Sequence, residues 1–136
     1  MIKREITYVN YLTDAEEKEV AYFHLNKADM IRIIGRKDMD WESYVKSVMD
    51  SKDSDAILDL IEEVVSASYG TKGEDGRTFV KDRAEQKRFV NSEPYAELLT
   101  EFILDAAKAE AFFKGVIGKG GVQPKEMAAK RTRSKI

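Results

Sequence analysis

"REITYVNYLTDAEEKEVAYFHLNKADM", residues 4–30, is the stretch on which the fold turns. Residues 4–10 are dense in β-branched and aromatic side chains. In "EVAYFHL", Val20, Tyr22 and His24 alternate with Ala21, Phe23 and Leu25, the period of two expected of a strand with one buried face. Strands are therefore expected over residues 4–10 and 18–25, joined through the polar link "YLTDAEE" (residues 11–17) as a hairpin. A lone hairpin is marginal in water, so this one must lie on the elements that follow. The first of these is a helix. Asn26 stands as its N-cap, Asp29 occupies the capping-box position, and Leu25 and Met30 have the spacing of a hydrophobic staple.

Working outward, this helix runs to about Ile34 and stops at Gly35. The same start signal recurs at Asp40, with Met39 and Tyr44 as the staple pair. Trp41, Tyr44, Val45, Val48 and Met49 line one face of this second helix. Ser54 or Asp55 opens a third, in which Ile57, Leu58, Ile61, Val64, Val65 and Ser68 follow a 3.6-residue period. A glycine-bearing connector follows, "SYGTKGEDGRTFVKD" (residues 68–82), with Phe79 and Val80 expected to fold back as a peg over the third helix and the Tyr95 helix. "DRAE" (residues 82–85) reads as a capping box for a short helix ending near Asn91. Ser92 is placed to cap the next, with Pro94 in its first turn and Tyr95, Leu98, Leu99, Phe102 and Ile103 on its apolar face. Asp105 starts a last helix through Ala106, Ala109, Phe112, Phe113 and Val116, which "GKGG" ends.

The expected architecture is α+β: an N-terminal β-hairpin packed on a bundle of five or six short helices. It forms one domain over residues 1–118, followed by a flexible basic tail, 119–136.

Composition narrows the chemistry. At 136 residues, 43% hydrophobic and 35% charged, the chain can bury a core and is charge-rich. It has no cysteine, which excludes disulfides, thiolate metal sites and cysteine nucleophiles. No apolar run approaches the roughly 20 residues of a membrane span, and the N-terminus lacks the apolar segment of a signal peptide. The net charge of −2 conceals an asymmetry. Residues 119–136 carry six Lys or Arg against one Glu, a local +5, which leaves −7 for residues 1–118.

Catalytic and metal signatures are missing from the sequence. His24 is the single histidine; without a second His or a cysteine, zinc has no usual ligand set. It reads as a packing or surface residue. The pairs Glu16-Glu17 and Glu62-Glu63 are sequence neighbours, which diverge on a helix. "DSKDSDA" (residues 50–56) lacks the central glycine and closing glutamate of a calcium loop. "GVIGKGG" fails as a phosphate loop, because Phe113 and Gly120 stand where a glycine and a Ser or Thr are needed. No cofactor is expected. The basic tail offers phosphate contacts but no aromatic for base stacking, and it is attached to an acidic body.

The stretch from Ser66 to Ile117 resembles the C-terminal half of the tail assembly chaperones of long-tailed (siphovirus-type) bacteriophages. The resemblance is carried by Ala67-Ser68-Tyr69-Gly70, by the charged loop closing in residues 75–81, and by Ser92 through Tyr95. Glu97-Leu98 and the Asp105 to Ile117 helix complete it. "KREITYVNY" and "YFHLNKADM" are similar to that family's opening strands, so the likeness spans residues 3–117. It departs in the polar helix end at residues 66–68 and in the nineteen residues after Ile117.

The resemblance implies a non-catalytic protein of the host cytoplasm, absent from the mature virion. It implies binding of the tape-measure protein, a long helical, aggregation-prone polypeptide, until tail-tube subunits polymerise around it; the tail-tube protein is a further partner. Partner-binding candidates are Phe79, Val80, Tyr95, Leu98, Phe102, Phe112 and Phe113, with Phe102, Phe112 and Phe113 shared between core and client. Self-association through an exposed apolar patch is also expected. In this class a ribosomal frameshift often adds a second domain to a minority of copies. Gly118-Lys119 is a pair that the slippery heptamer GGGAAAG encodes in the zero frame. Two other readings stay open: a small regulatory or nucleic-acid-binding phage protein acting through the basic tail, and a structural head–tail joining component.

Overall fold

The computed structural model describes residues 1–35 and 39–118; the expected basic tail, 119–136, and most of the "GKGG" stop lie outside the described residues. β1 (Ile2–Asn10) and β2 (Ala15–Phe23) form the expected hairpin, paired antiparallel from Ile2 opposite Phe23 to Asn10 opposite Ala15. The link is residues 11–14 rather than 11–17, because Asn10 organises a tight turn. Its carbonyl accepts from the Thr13 and Asp14 N–H groups, its side-chain oxygen accepts from Leu12 N–H, and Asp14 takes a φ of 58°. β2 ends at Phe23 rather than Leu25. The backbone N–H groups of His24 and Leu25 leave the ladder and donate to the carbonyls of Ser68 and Val116, both at 2.9 Å.

The connector contains two strands that the sequence reading did not assign. β3 (Tyr69–Lys72) and β4 (Phe79–Val80) extend the sheet in the order β1-β2-β3-β4, all antiparallel. Asp75 builds the turn between them, accepting from the N–H groups of Arg77 and Thr78 at 2.9 Å and from the Thr78 hydroxyl at 2.5 Å. Gly76 supplies the positive φ of 70° that follows. The peg also differs from expectation. Phe79 lies flat over Gly70 and beside His24, while Val80 is 41% exposed.

Six helices follow the hairpin: α1 (Lys27–Ile34), α2 (Trp41–Asp50), α3 (Ser54–Ser68), α4 (Arg83–Val90), α5 (Glu93–Leu104) and α6 (Ala106–Gly115). Their starts follow local chemistry. Asn26 and Asp29 form the full capping box, and Asp40 accepts from Ser43 N–H at 2.7 Å. Asp53 caps α3 just ahead of Ser54, taking the Asp55 and Ala56 N–H groups. Asp82 caps α4 by accepting from Ala84, but Glu85 turns to Arg88 instead of closing a box. Ser92 occupies the cap position of α5 without capping it, since its hydroxyl donates back to the Phe89 carbonyl at 2.6 Å. Asp105 ends α5 and caps α6.

The helices bury one face of the sheet, where Ile6, Ala21 and Phe23 lie deepest. Phe23 is the hub of an aromatic cluster, with ring centroids 5.9 Å from Tyr69, 5.8 Å from Phe89 and 5.2 Å from Phe112. Tyr69 and Phe89 stack at 4.3 Å. An Arg4–Glu101 ion pair ties β1 to α5, and Lys81–Asp29 ties the end of β4 to α1. Leu58 and Ile103, expected on buried stripes, face solvent at 38% and 50% exposure. The apolar stripes of α3 and α5 are wider than the neighbours that cover them.

Candidate functional site

The sequence-named residues fall into two groups. Tyr95, Leu98, Phe102, Phe112 and Phe113 are all buried. Phe102 and Phe112 lie 5.0 Å apart, and Phe112 sits against Phe23, so these two are committed to the core and offer a client almost no surface. Burial also pushes the Tyr95 hydroxyl up to about 12, with the Glu62 carboxylate adding to the shift. Phe79 and Val80 stand apart on β4, at the far edge of the sheet. The fold therefore does not bring the seven together.

Phe113 alone of the buried five reaches a concave surface. α2 and α6 lie side by side, and between them runs a groove of about 550 Å³. Its floor is Trp41 and Val45 from α2, Phe113 from α6, and Ile117 just beyond. The Trp41 indole N–H donates to the Phe113 carbonyl at 2.9 Å, locking the floor to both walls. Glu42, Lys46 and Asp50 form one rim; Ala107, Glu110, Ala111 and Lys114 form the other. Lys114 reaches Glu42 across the groove at 3.9 Å. Apolar below and charged at both edges, the groove suits the apolar stripe of a helix with polar flanks.

A smaller concavity of about 300 Å³ lies under the hairpin turn, between Tyr8, Glu19, Arg88 and Pro94. Here the Arg88 guanidinium donates to Glu85 at 2.9 Å, Tyr69 at 3.0 Å and Glu19 at 3.3 Å, and its hydrogen bond to Glu85 holds its pKa up. Tyr11 and Leu12 project beside it, 70% and 96% exposed. The sequence reading placed them in a polar link and gave them no role.

Neither surface has the parts of a catalytic centre. The His24 imidazole has its Nδ1 buried without a hydrogen-bond partner. Its pKa is lowered by burial first, then by the N-terminal amine and Lys81. Phe79 stands edge-on to it at 6.4 Å, and nucleophile and base are not juxtaposed there. Among the described residues no group of His, Cys, Asp and Glu could hold a metal ion, and no helix is long and apolar enough to cross a membrane.

The groove was hidden in the sequence because Trp41, Val45 and Phe113 read as ordinary core positions at helical spacing. Only the placement of α6 beside α2 opens a channel above them. One signal for the β3–β4 hairpin was present: Asp75-Gly76, a dipeptide strongly favoured in tight hairpin turns.

Comparison with curated proteins and with solved structures finds no match. A family model described as phage tail assembly chaperone matches residues 1–134, running past the described fold and through most of the basic stretch. The likeness thus extends beyond residues 3–117. The hairpin-led α+β fold, the buried aromatic hub and this match over nearly the whole length give one conclusion: the chain belongs to the phage tail assembly chaperone family.

Proposed function

We propose that the protein binds the tape-measure protein and keeps it soluble until the tail tube polymerises around it, without catalysing a reaction. The observation that carries this reading is an apolar groove with charged rims, between α2 and α6, in a chain of the tail assembly chaperone family. A long amphipathic helix aggregates through its apolar stripe, and a groove that receives side chains at i, i+3, i+4 and i+7 covers that stripe. Phe113 contributes to the contact through the floor. Phe112, Phe102, Leu98 and Tyr95 support α5 and α6 from beneath; Phe79 and Val80 lie elsewhere, on β4. The client is met in the host cytoplasm and the chaperone leaves before the virion is complete. A frameshift at Gly118-Lys119 supplies a longer form that reaches tail components such as the tube protein.

The test is co-expression with the tape-measure protein encoded in the same genome. The wild-type chain is expected to hold it in the soluble fraction and to co-purify with it. Ala111→Arg places a long side chain in the groove from an exposed rim position, so it is expected to abolish co-purification while far-UV circular dichroism stays native. A soluble complex that survives Ala111→Arg would move the site elsewhere. A wild-type chain that leaves the client insoluble would remove the chaperone reading. Mass spectrometry of infected cells and of purified particles checks the longer form and the absence from virions.

A further inference from the structure

The two faces of the sheet are unlike. One is buried by the helices; the other is open. Antiparallel partners project to the same side, so the register places Tyr22 beside Lys3 and Gly70, Val20 beside Glu5, and Phe79 beside Lys72 on the open face. Val20 is 44% exposed there, and Tyr22 and Phe79 are half-buried. Gly70 lets the Phe79 ring lie down between the strands, since a Cβ at that position would come within 2.4 Å of it. The result is a flat apolar strip, Val20–Tyr22–Phe79. Lysines border it: Lys3, Lys18 and Lys72, the last with its ammonium 5.4 Å over the Tyr22 ring. The face also carries Glu5 and Glu16, and Glu5 is engaged by Lys18 at 3.1 Å.

The matching surface is on the same chain. α3 buries Leu60, Ile61, Val64 and Val65 and turns Asp55, Leu58, Asp59 and Glu62 outward. Those four stand at i, i+3, i+4 and i+7, one stripe on a helix. Leu58, 38% exposed, is the apolar knob at its centre, and three carboxylates surround it. The sheet presents apolar surface edged by lysines; the helix presents a leucine edged by acids. Burying one on the other removes apolar area from water and sets opposite charges together.

We infer that copies of this chain associate head to tail, the open sheet face of one copy receiving the outward stripe of α3 of the next. The two patches are different surfaces, each turned away from the shared core, so the contact is heterologous and repeats from copy to copy. Such a contact grows an open chain unless its rotation closes a ring. It leaves the α2–α6 groove uncovered and does not depend on what that groove binds.

A pair of blocked variants tests this. Lys18→Glu with Lys72→Glu inverts the sheet side; Asp55→Lys with Asp59→Lys inverts the helix side. All four residues are exposed. In sedimentation velocity at low salt, the wild type is expected to show weight-average mass rising with concentration and falling on addition of 0.5 M NaCl. Each variant alone is expected to stay monomeric. Mixed one to one, they are expected to form a discrete heterodimer, because each supplies the face the other lacks. A wild type that stays monomeric at several hundred micromolar, variants that associate as the wild type does, or a mixture without the heterodimer would each overturn the inference.

Discussion

Replacing Gly70 by alanine tests the packing of the open sheet face. The backbone at Gly70 lies outside the left-handed region, so the cost of a methyl group is steric rather than conformational. The new Cβ would sit 2.4 Å from two atoms of the Phe79 ring and 2.8 Å from the Val80 carbonyl oxygen. Ordinary carbon contacts lie at about 3.5–4.0 Å. The ring must therefore swing by more than about 1 Å, and β4 must back off by about half that, which loosens a strand held by two register pairs. Overpacking of this kind costs about 1–3 kcal/mol. Alanine returns roughly 0.4–1 kcal/mol by restricting the unfolded chain, so a net loss of about 1–2 kcal/mol is expected. At this chain length that is a fall in Tm of about 3–8 °C, read by circular dichroism, with urea unfolding as the cross-check. Phe79→Ala removes the ring, so Gly70→Ala in that background should cost much less, leaving only the Val80 carbonyl contact. A Gly70→Ala chain as stable as wild type, or the same penalty with and without Phe79, would refute the packing account.

Three further outcomes are expected. Trp41→Phe removes the donor to the Phe113 carbonyl in a buried setting and should cost about 1–3 kcal/mol from that hydrogen bond alone, measured by urea unfolding. Asp75, held at about 2 by the Thr78 hydroxyl and the Thr78 and Arg77 N–H groups, should titrate far below an ordinary aspartate in carbon-detected NMR. Its folded pKa is depressed, so its contribution is complete above pH 4 and is lost as pH falls toward 2; Asp75→Asn should flatten that part of the acid profile. His24, a base whose folded pKa is lowered, favours the folded state while neutral. Its contribution is present above about pH 6.5 and is lost as pH falls below that value, and an NMR titration with a midpoint at or above 6.5 would contradict the burial argument.

What the sequence revealed was local. The β1–β2 alternation and the caps at Asn26, Asp40, Asp82 and Asp105 depend on residues within a few positions of one another, and the structure has them. What it concealed was non-local. Tyr69-Gly70 reads as a helix end because its strand character comes from pairing with Tyr22 and Phe23, some forty-seven positions earlier. The buried fate of Phe102 and Phe112 depends on Phe23 arriving from the sheet, so spacing alone could not separate core from client contact. Leu58 matched the helical period yet faces solvent, since periodicity marks a stripe but not the width of its cover.

Trp41 is the sole tryptophan of the chain, and its indole forms the floor of the α2–α6 groove. The chain's tryptophan emission therefore originates from the surface at which a client is proposed to sit. With the ring dry and its N–H fixed to a carbonyl, that emission should be blue-shifted in the free protein. An occupant covering the ring would change its quenching by acrylamide without labels or tags. An unlabelled peptide that contains no tryptophan can thus be titrated against the protein in a cuvette, and the chaperone reports on its own occupancy.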